Sequence, residues 1–510
     1  MKRRMCRELV ARGGGLLGGV CVLVGIVGAG LAAGGATAPL PPLGDISWSD
    51  RTIFRPGLVT SAKGVLDELP GATVYHIDVE IADDLASLAG HQDVLYTNRE
   101  ACALGEIYFR LYPNAAGGHI EVSSLTVNGN EIDWVYEHET LDLRVPLVAP
   151  LSPNAAVEIG VDFAVTIPPA PTERYGLFSS SSGVLSLDEA FPSIPVYDAG
   201  GWHLDPVLPF GDVAVYDASF YVVRVSAPRA VALVGTGVEV ARDDGSRQVR
   251  TFAAGPARNF YLAVADGLVT VEKKVGETTI RSIAFADDFP AAERVLSFTK
   301  NALASFGERF CPYPYTELDL VANPILPGGN AMEYPGAIVL SRPLYDPRAV
   351  IWGSVPAPAA LEWDVVHEIA HQWFFNVVGN DQVNEPWIDE AMAQYAVGLY
   401  YEDAYGSRGT RTAHDWWLGN WSRVGREETA IGLPVAAYEA ASYSPIVYGR
   451  GPFFLAELED AFGRAAFANF LEDYVSTFAW EIATTAAFRT LAEEHCGCDL
   501  GSYFESWVYP

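Results

Sequence analysis

Lysine is scarce in these 510 residues: there are only Lys2, Lys63, Lys273, Lys274 and Lys300. With arginine included, 33 basic side chains stand against 64 acidic ones, a formal net charge of −31. A surface so poor in positive charge repels nucleic acid and anionic lipid, which excludes both as partners held by charge. The acidic residues are dispersed rather than blocked, so they speak for solubility and name no partner. Cysteine is sparse as well. Cys6 and Cys21 lie in an N-terminal tract, and the remaining Cys102, Cys311, Cys496 and Cys498 make no disulfide framework. His495-Cys496-Gly497-Cys498 has the residue types of a metal site but lacks a second pair at zinc-finger spacing, so buried or paired structural cysteine is the expectation. There is no internal repeat, no low-complexity tail and, beyond the N-terminal tract, no apolar run long enough to span a bilayer.

What is present is the composition of a globular chain, 50% hydrophobic and long enough for two or three domains. Residues 1–38 read as a signal peptide or an N-terminal membrane anchor. Lys2, Arg3, Arg4, Arg7 and Arg12 precede an apolar run from Leu16 to about Ala33, and Ala36-Thr37-Ala38 resembles a cleavage site followed by Pro39. Either reading exports the remainder, to the outside, the periplasm or the outer face of the cytoplasmic membrane. From Val74 to about Val264 the pattern is that of strands: Tyr75–Ile81 and Val157–Phe163 alternate apolar and polar residues, Ser219–Val225 is an apolar, β-branched run, and Asn128-Gly129 marks a turn. After Gly267 the character shifts. Helical periodicity from Ala291 to Phe306 is followed by two short strands, 318–321 and 337–340, around a Gly-rich turn, and the chain is mainly helical from Leu361. The expected architecture is α+β, with an antiparallel β domain over 39–262 and a mainly helical domain over 263–510.

His367-Glu368-Ile369-Ala370-His371 carries the chemistry. It sits in Leu361–Val378, whose Val365, Val366, Ile369, Ala370, Trp373 and Val377 predict one apolar helix. Histidines at i and i+4 project from one helical face, so both imidazoles can reach one ion. Glu368 then faces the open coordination position, where a general base is needed. With eighteen residues between it and His371, Glu390 lies in Asn384-Glu385-Pro386-Trp387-Ile388-Asp389-Glu390-Ala391, which opens a second helix with Pro386 in its first turn. That is enough chain to turn and return a carboxylate to the ion. Two His and one Glu leave a fourth position for water, the pattern of catalytic zinc. Two packed histidines and a carboxylate facing its own helix N-terminus would be the structural alternative.

These residues resemble the aminopeptidase N and leukotriene hydrolase family of gluzincin metallopeptidases, with His367, His371 and Glu390 in the zinc positions and His371-Gln372-Trp373-Phe374 and Trp387-Ile388-Asp389-Glu390 matching around them. Gly328-Gly329-Asn330-Ala331-Met332-Glu333-Tyr334 is similar to the family's G-x-M-E-N motif, with Asn330 at its Gly and Tyr334 at its Asn. The resemblance implies that Asn330, Ala331 and Met332 lie along the substrate and that Glu333 pairs with its free α-amine. Tyr448-Gly449-Arg450-Gly451 is similar to the family's Y-x-K-G. That implies a Tyr448 hydroxyl stabilising the transition state, with Tyr443 a second candidate. Glu106–Arg110 and Gly200-Gly201-Trp202 resemble the β domain of bacterial members. The implied protein is a short form, a β domain and a thermolysin-like zinc-peptidase domain with a helical end. It would hold one Zn2+ and hydrolyse the first peptide bond of peptides with a free N-terminus. A thermolysin-like endopeptidase, a non-catalytic peptide-binding relative and an epoxide hydrolase remain the competing readings.

Overall fold

The computed structural model describes residues 41–171, 173–324 and 330–510 and, as backbone, the strand Leu23–Ile26. The signal or anchor segment predicted over residues 1–38 otherwise lies outside the described residues. Among these residues no helix is long and apolar enough to cross a membrane.

The first half is built on an eight-stranded sheet. Its central strands are β1 (Val74–Ile81), β2 (Ser87–Thr97), β3 (Ala156–Thr166), β4 (Ser219–Ala227) and β5 (Gln248–Ala257), in the spatial order β5-β4-β1-β2-β3. The sequence predicts antiparallel pairing throughout. All pairs in this sheet are antiparallel except one, because β4 lies parallel to β1, with Val222 opposite His76. Parallel neighbours need a crossover, and here everything from β2 to β4 provides it. β4 reads as an unbroken apolar run because both its faces are covered. Tyr221, Val223 and Val225 enter the core of the β half with Ile77, Val79, Phe109 and Ile159. Phe220 and Val222 enter a larger core that also holds Trp373, Trp387, Ile388 and Phe454. The two halves therefore share one apolar interior.

The strand Leu262–Ala265 still pairs within a small sheet of the β half, and a six-stranded mixed sheet begins just after it. It contains β6 (Leu268–Val275), β7 (Thr278–Phe285), β8 (Glu317–Asn323), β9 (Ala331–Tyr334) and β10 (Ala337–Ser341), ordered β6-β7-β8-β10-β9, with Leu23–Ile26 paired outside β6. β9 is an edge strand. Helix α1 (Phe289–Arg309) packs on this sheet. Helices α2 (Ala357–Ala370) and α3 (Trp387–Tyr405) follow. Both are buried nearly all round, as expected of helices at the centre of a domain.

One predicted element is corrected. The helix expected over Leu361–Val378 starts earlier and ends at Ala370, leaving His371 as its C-terminal cap. Trp373 and Val377 are buried as their spacing suggested, but from a tight turn. Trp373 Nε1 donates to the Cys311 carbonyl at 2.9 Å, Val378 N donates to Trp373 O, and Phe375 adopts φ 129°. The apolar spacing records burial and is indifferent to whether a helix or a turn delivers it. The paired alternative for Cys496 and Cys498 is the one observed, since they form a disulfide.

Candidate active site

His367 leaves the last turn of α2, His371 its C-terminal cap, and Glu390 the first turn of α3. The buried faces of the two helices meet, bringing the three side chains together. His367 Nε2 lies 3.2 Å from His371 Nε2 and 3.1 Å from Glu390 Oε2, and His371 Nε2 lies 3.3 Å from Glu390 Oε2. Zinc–ligand bonds of about 2.0–2.1 Å in a tetrahedron place neighbouring donors about 3.3–3.4 Å apart. The triangle is close to that size, so these residues fit one zinc ion. His371 Nδ1 lies 2.9 Å from the Phe374 carbonyl, which places its proton there and leaves Nε2 with a lone pair. The turn that replaced the predicted helix thus sets the tautomer of a candidate ligand.

All three side chains are buried, as are Glu368 and Glu333. Burial pushes the Glu368 carboxyl well above the usual carboxylate range, and Glu333 and Glu390 add to it; burial raises Glu333 too. Glu390 is held below its ordinary value despite burial, chiefly by His371. His371 rises well above an ordinary imidazole against its own burial, because Glu333 and Glu390 face it. The rise of His371 reflects the carboxylates crowded around it, an arrangement that favours a cation.

Glu368, Glu333 and His371 each present a ligand atom within 4.8 Å of the others, so Glu368 lies beside both the triad and Glu333 of the edge strand. Its Oε2 has no hydrogen-bond partner. Tyr448 donates to Glu390 Oε1. It sits on a π-helical turn, Pro445–Arg450, that interrupts an otherwise α-helical run, and such turns are frequent at functional sites. Arg450, of the same motif, points elsewhere. It donates to the carbonyls of Thr429, Ser506 and Trp507 and lies over the Trp507 ring, fastening the C-terminal end.

Strand geometry sorts the motif around Glu333. Alternate residues face opposite sides of β9. Glu333 faces the triad, whereas Tyr334 stacks on Tyr261 and donates to Asp188 at 2.8 Å in the β half. Met332 shares the Tyr334 side and packs with that second group, away from the triad. Ala331 is half-buried on the Glu333 side, and the Asn330 carbonyl accepts from Ser341 N at 2.6 Å. Gly328 and Gly329 lie outside the described residues. Gln372 clamps the turn after β9, accepting from Gly336 N at 2.9 Å and donating to Tyr334 O at 3.0 Å.

Other contributors are not evident in the sequence. Asp389 adjoins the triad and is held by Gln382 Nε2 at 3.0 Å. Asp212 comes from a loop of the β half to within 4.8 Å of Glu333 and Asp389. Arg258, just past the end of β5, donates to four carbonyls: Tyr216, Asn376, Val377 and Glu481. Asn376 and Val377 belong to the turn after His371. Position i−1 to Glu390 could have flagged Asp389; nothing local marks Asp212 or Arg258.

Residues 294–507 match the peptidase family M1 domain. Over 323 residues the chain is 25% identical to aminopeptidase M1-B of Oryza sativa, covering 59% of this chain and 35% of that protein. Over 229 residues it is 24% identical to aminopeptidase N of Streptomyces lividans, covering 42% of this chain and 26% of the other. It thus spans only a quarter to a third of the length of these two relatives. A crystal structure of an M1 zinc metallopeptidase from Deinococcus radiodurans shares the fold, with a TM-score of 0.61 at 21% identity, covering 86% of this chain and 94% of that one.

Proposed function

From the premise that residues 294–507 are a peptidase family M1 domain, we propose that this protein is a zinc-dependent aminopeptidase that removes the first residue of peptides with a free N-terminus. The observation that carries the reading is the donor triangle of His367, His371 and Glu390 at tetrahedral spacing, with Glu368 beside it and its Oε2 unpartnered. A zinc ion held there would supply Lewis-acid polarisation of the scissile carbonyl and acidify a water. Glu333 takes the α-ammonium and so fixes the first peptide bond opposite the triad. The unpaired edge of β9 offers main-chain hydrogen bonds to the extended peptide. Glu368 accepts the proton of the attacking water and returns it to the leaving nitrogen. The Tyr448 hydroxyl donates a hydrogen bond to the oxyanion that develops on the carbonyl oxygen. Export is part of the same reading and rests on the sequence of residues 1–38.

Two results are expected. Aminoacyl reporters with a free amine should be cleaved, N-acetylated counterparts should not, and a chelator should abolish the activity. Equal cleavage of blocked substrates would replace the aminopeptidase by an endopeptidase, and no cleavage with zinc bound would leave a peptide-binding protein. Tyr448→Phe should lower kcat about 10²- to 10³-fold with KM changed little, since its donor acts on charge absent from the ground state. Steady-state kinetics with zinc analysis would check this. A wild-type kcat would remove Tyr448 from the mechanism.

A further inference from the structure

The path open to a peptide has a direction. Glu333 of β9 lies beside Glu368 of α2, and Gln372, further along α2, holds Tyr334 O and Gly336 N, further along the strand. Strand and helix therefore run the same way. The chain turns at Pro335-Gly336, so the free edge of β9 lies on the N-terminal side of Glu333. A peptide with its amine at Glu333 extends back along that edge, past Ala331 and Asn330, toward the N-terminal end of α2.

That end of α2 is flanked by tryptophans. Trp363 precedes His367 by one helical turn and shares its face. Trp416 of helix α4 (Ser407–Trp421) stacks on Trp363, with ring centroids 4.3 Å apart and planes at 5°. α4 also packs against the turn that carries Tyr448, so closely that a Cβ on Gly449 would lie 2.6 Å from Trp421 N. The wall that holds Tyr448 thus continues into Trp416. A hairpin of Val350–Ile351 and Val355–Pro356 leads into α2 and sets Trp352 edge-on to Trp416, with centroids 5.1 Å apart.

Trp352 is 48% exposed and Val350 59%, and they lie two places apart on one face of the hairpin. Trp352 has φ 48° and Gly353 φ 76°, and Ser354 N donates to Ile351 O at 3.2 Å across the turn. Such a turn favours asparagine or glycine at its first central position, not a bulky ring. An indole held there against backbone preference, exposed and continuous with the wall of the site, is placed to meet a ligand. An extended chain advances about 3.3 Å per residue, and Trp363 lies about 6 Å before His367 along the helix. A peptide therefore draws level with Trp363 at the second residue past the cleaved bond and meets the Trp416–Trp352 pair within two more.

We propose that Trp352, backed by Trp416 and Trp363, forms the far end of the substrate path and selects oligopeptides that carry an aromatic side chain among their third to fifth residues. This deepens, and rests on, the aminopeptidase reading above. The test measures initial release of leucine by the full zinc-loaded chain from leucyl-tetraalanine and from the three pentapeptides with phenylalanine at position three, four or five, beside a leucyl reporter. At least one phenylalanine peptide should exceed the parent in kcat/KM by about three- to tenfold, the worth of one aromatic contact. Trp352→Asn, which suits the left-handed turn, should bring that ratio close to one without lowering the melting temperature. Trp352→Phe should keep most of the ratio. A wild-type ratio near one at all three positions, or a ratio that survives Trp352→Asn, would overturn the specificity while leaving the aminopeptidase intact. Failure to cleave the reporter and every peptide would overturn both.

Discussion

Replacing Glu368 by glutamine should lower kcat about 10²- to 10⁴-fold, the range in which a general base contributes, without loss of zinc. The amide keeps the shape of the side chain and cannot take a proton from water. Oε2 makes no hydrogen bond in the protein, so an amide nitrogen at that position breaks none. The substitution also removes a negative charge from a buried site already facing Glu333 and Glu390, so the melting temperature should hold or rise. This split, activity lost with metal and stability kept, separates a catalytic base from a residue that supports the fold. Zinc content, thermal melting and steady-state kinetics on one preparation would decide it. Full hydrolysis by a zinc-replete Glu368→Gln protein would remove Glu368 from its role.

Arg258→Ala should be strongly destabilising, by about 2–6 kcal/mol, because each buried carbonyl left without a donor costs about 1–3 kcal/mol. Of the four carbonyls at 2.9–3.2 Å from the guanidinium, Val377 O keeps Trp480 N and Glu481 O keeps Gly379 N as donors, whereas those of Tyr216 and Asn376 lose theirs. Burial pushes the Arg258 pKa down to about 10, a measure of how far this cation is removed from water. Lysine should not rescue, since one ammonium cannot reach four carbonyls in a planar fork. Because Asn376 and Val377 lie in the turn that orients His371, zinc affinity should fall together with stability. Denaturant unfolding and a competitive chelator titration would measure the two. A stable variant with weakened zinc binding would confine Arg258 to positioning the turn, and unchanged zinc binding in a destabilised variant would confine it to the fold.

Much of the site and of the fold is legible in the amino-acid order. His367, Glu368 and His371 show themselves by helical spacing, and Glu390 by its distance along the chain. β1, β3 and β4 show themselves by alternation or by an apolar run. What stays hidden is what spacing does not encode. The strand pattern of β1 and β4 is the same whether they pair parallel or antiparallel. The apolar spacing of Trp373 and Val377 continues that of α2, although the chain has left the helix through a positive φ at Phe375, a residue that does not advertise one. Asp212 and Arg258 lie 121 and 75 residues before Glu333, by their positions in the chain, and only the packing of the two halves delivers them. Met332 is separable from Glu333 by strand alternation alone; reading the motif as a block obscures it.

The apolar interior common to both halves bears on how the molecule comes apart. Val74, Phe220, Val222 and Ala253 from the β half share a cluster with Trp373, Trp387 and Ile388. Separating the halves would expose this shared apolar surface to water, at a cost of about 25 cal/mol per Å². The boundary between the halves is thus a boundary of architecture and not of cooperativity. Melting should proceed as one transition, with the metal site and the β sheet lost together.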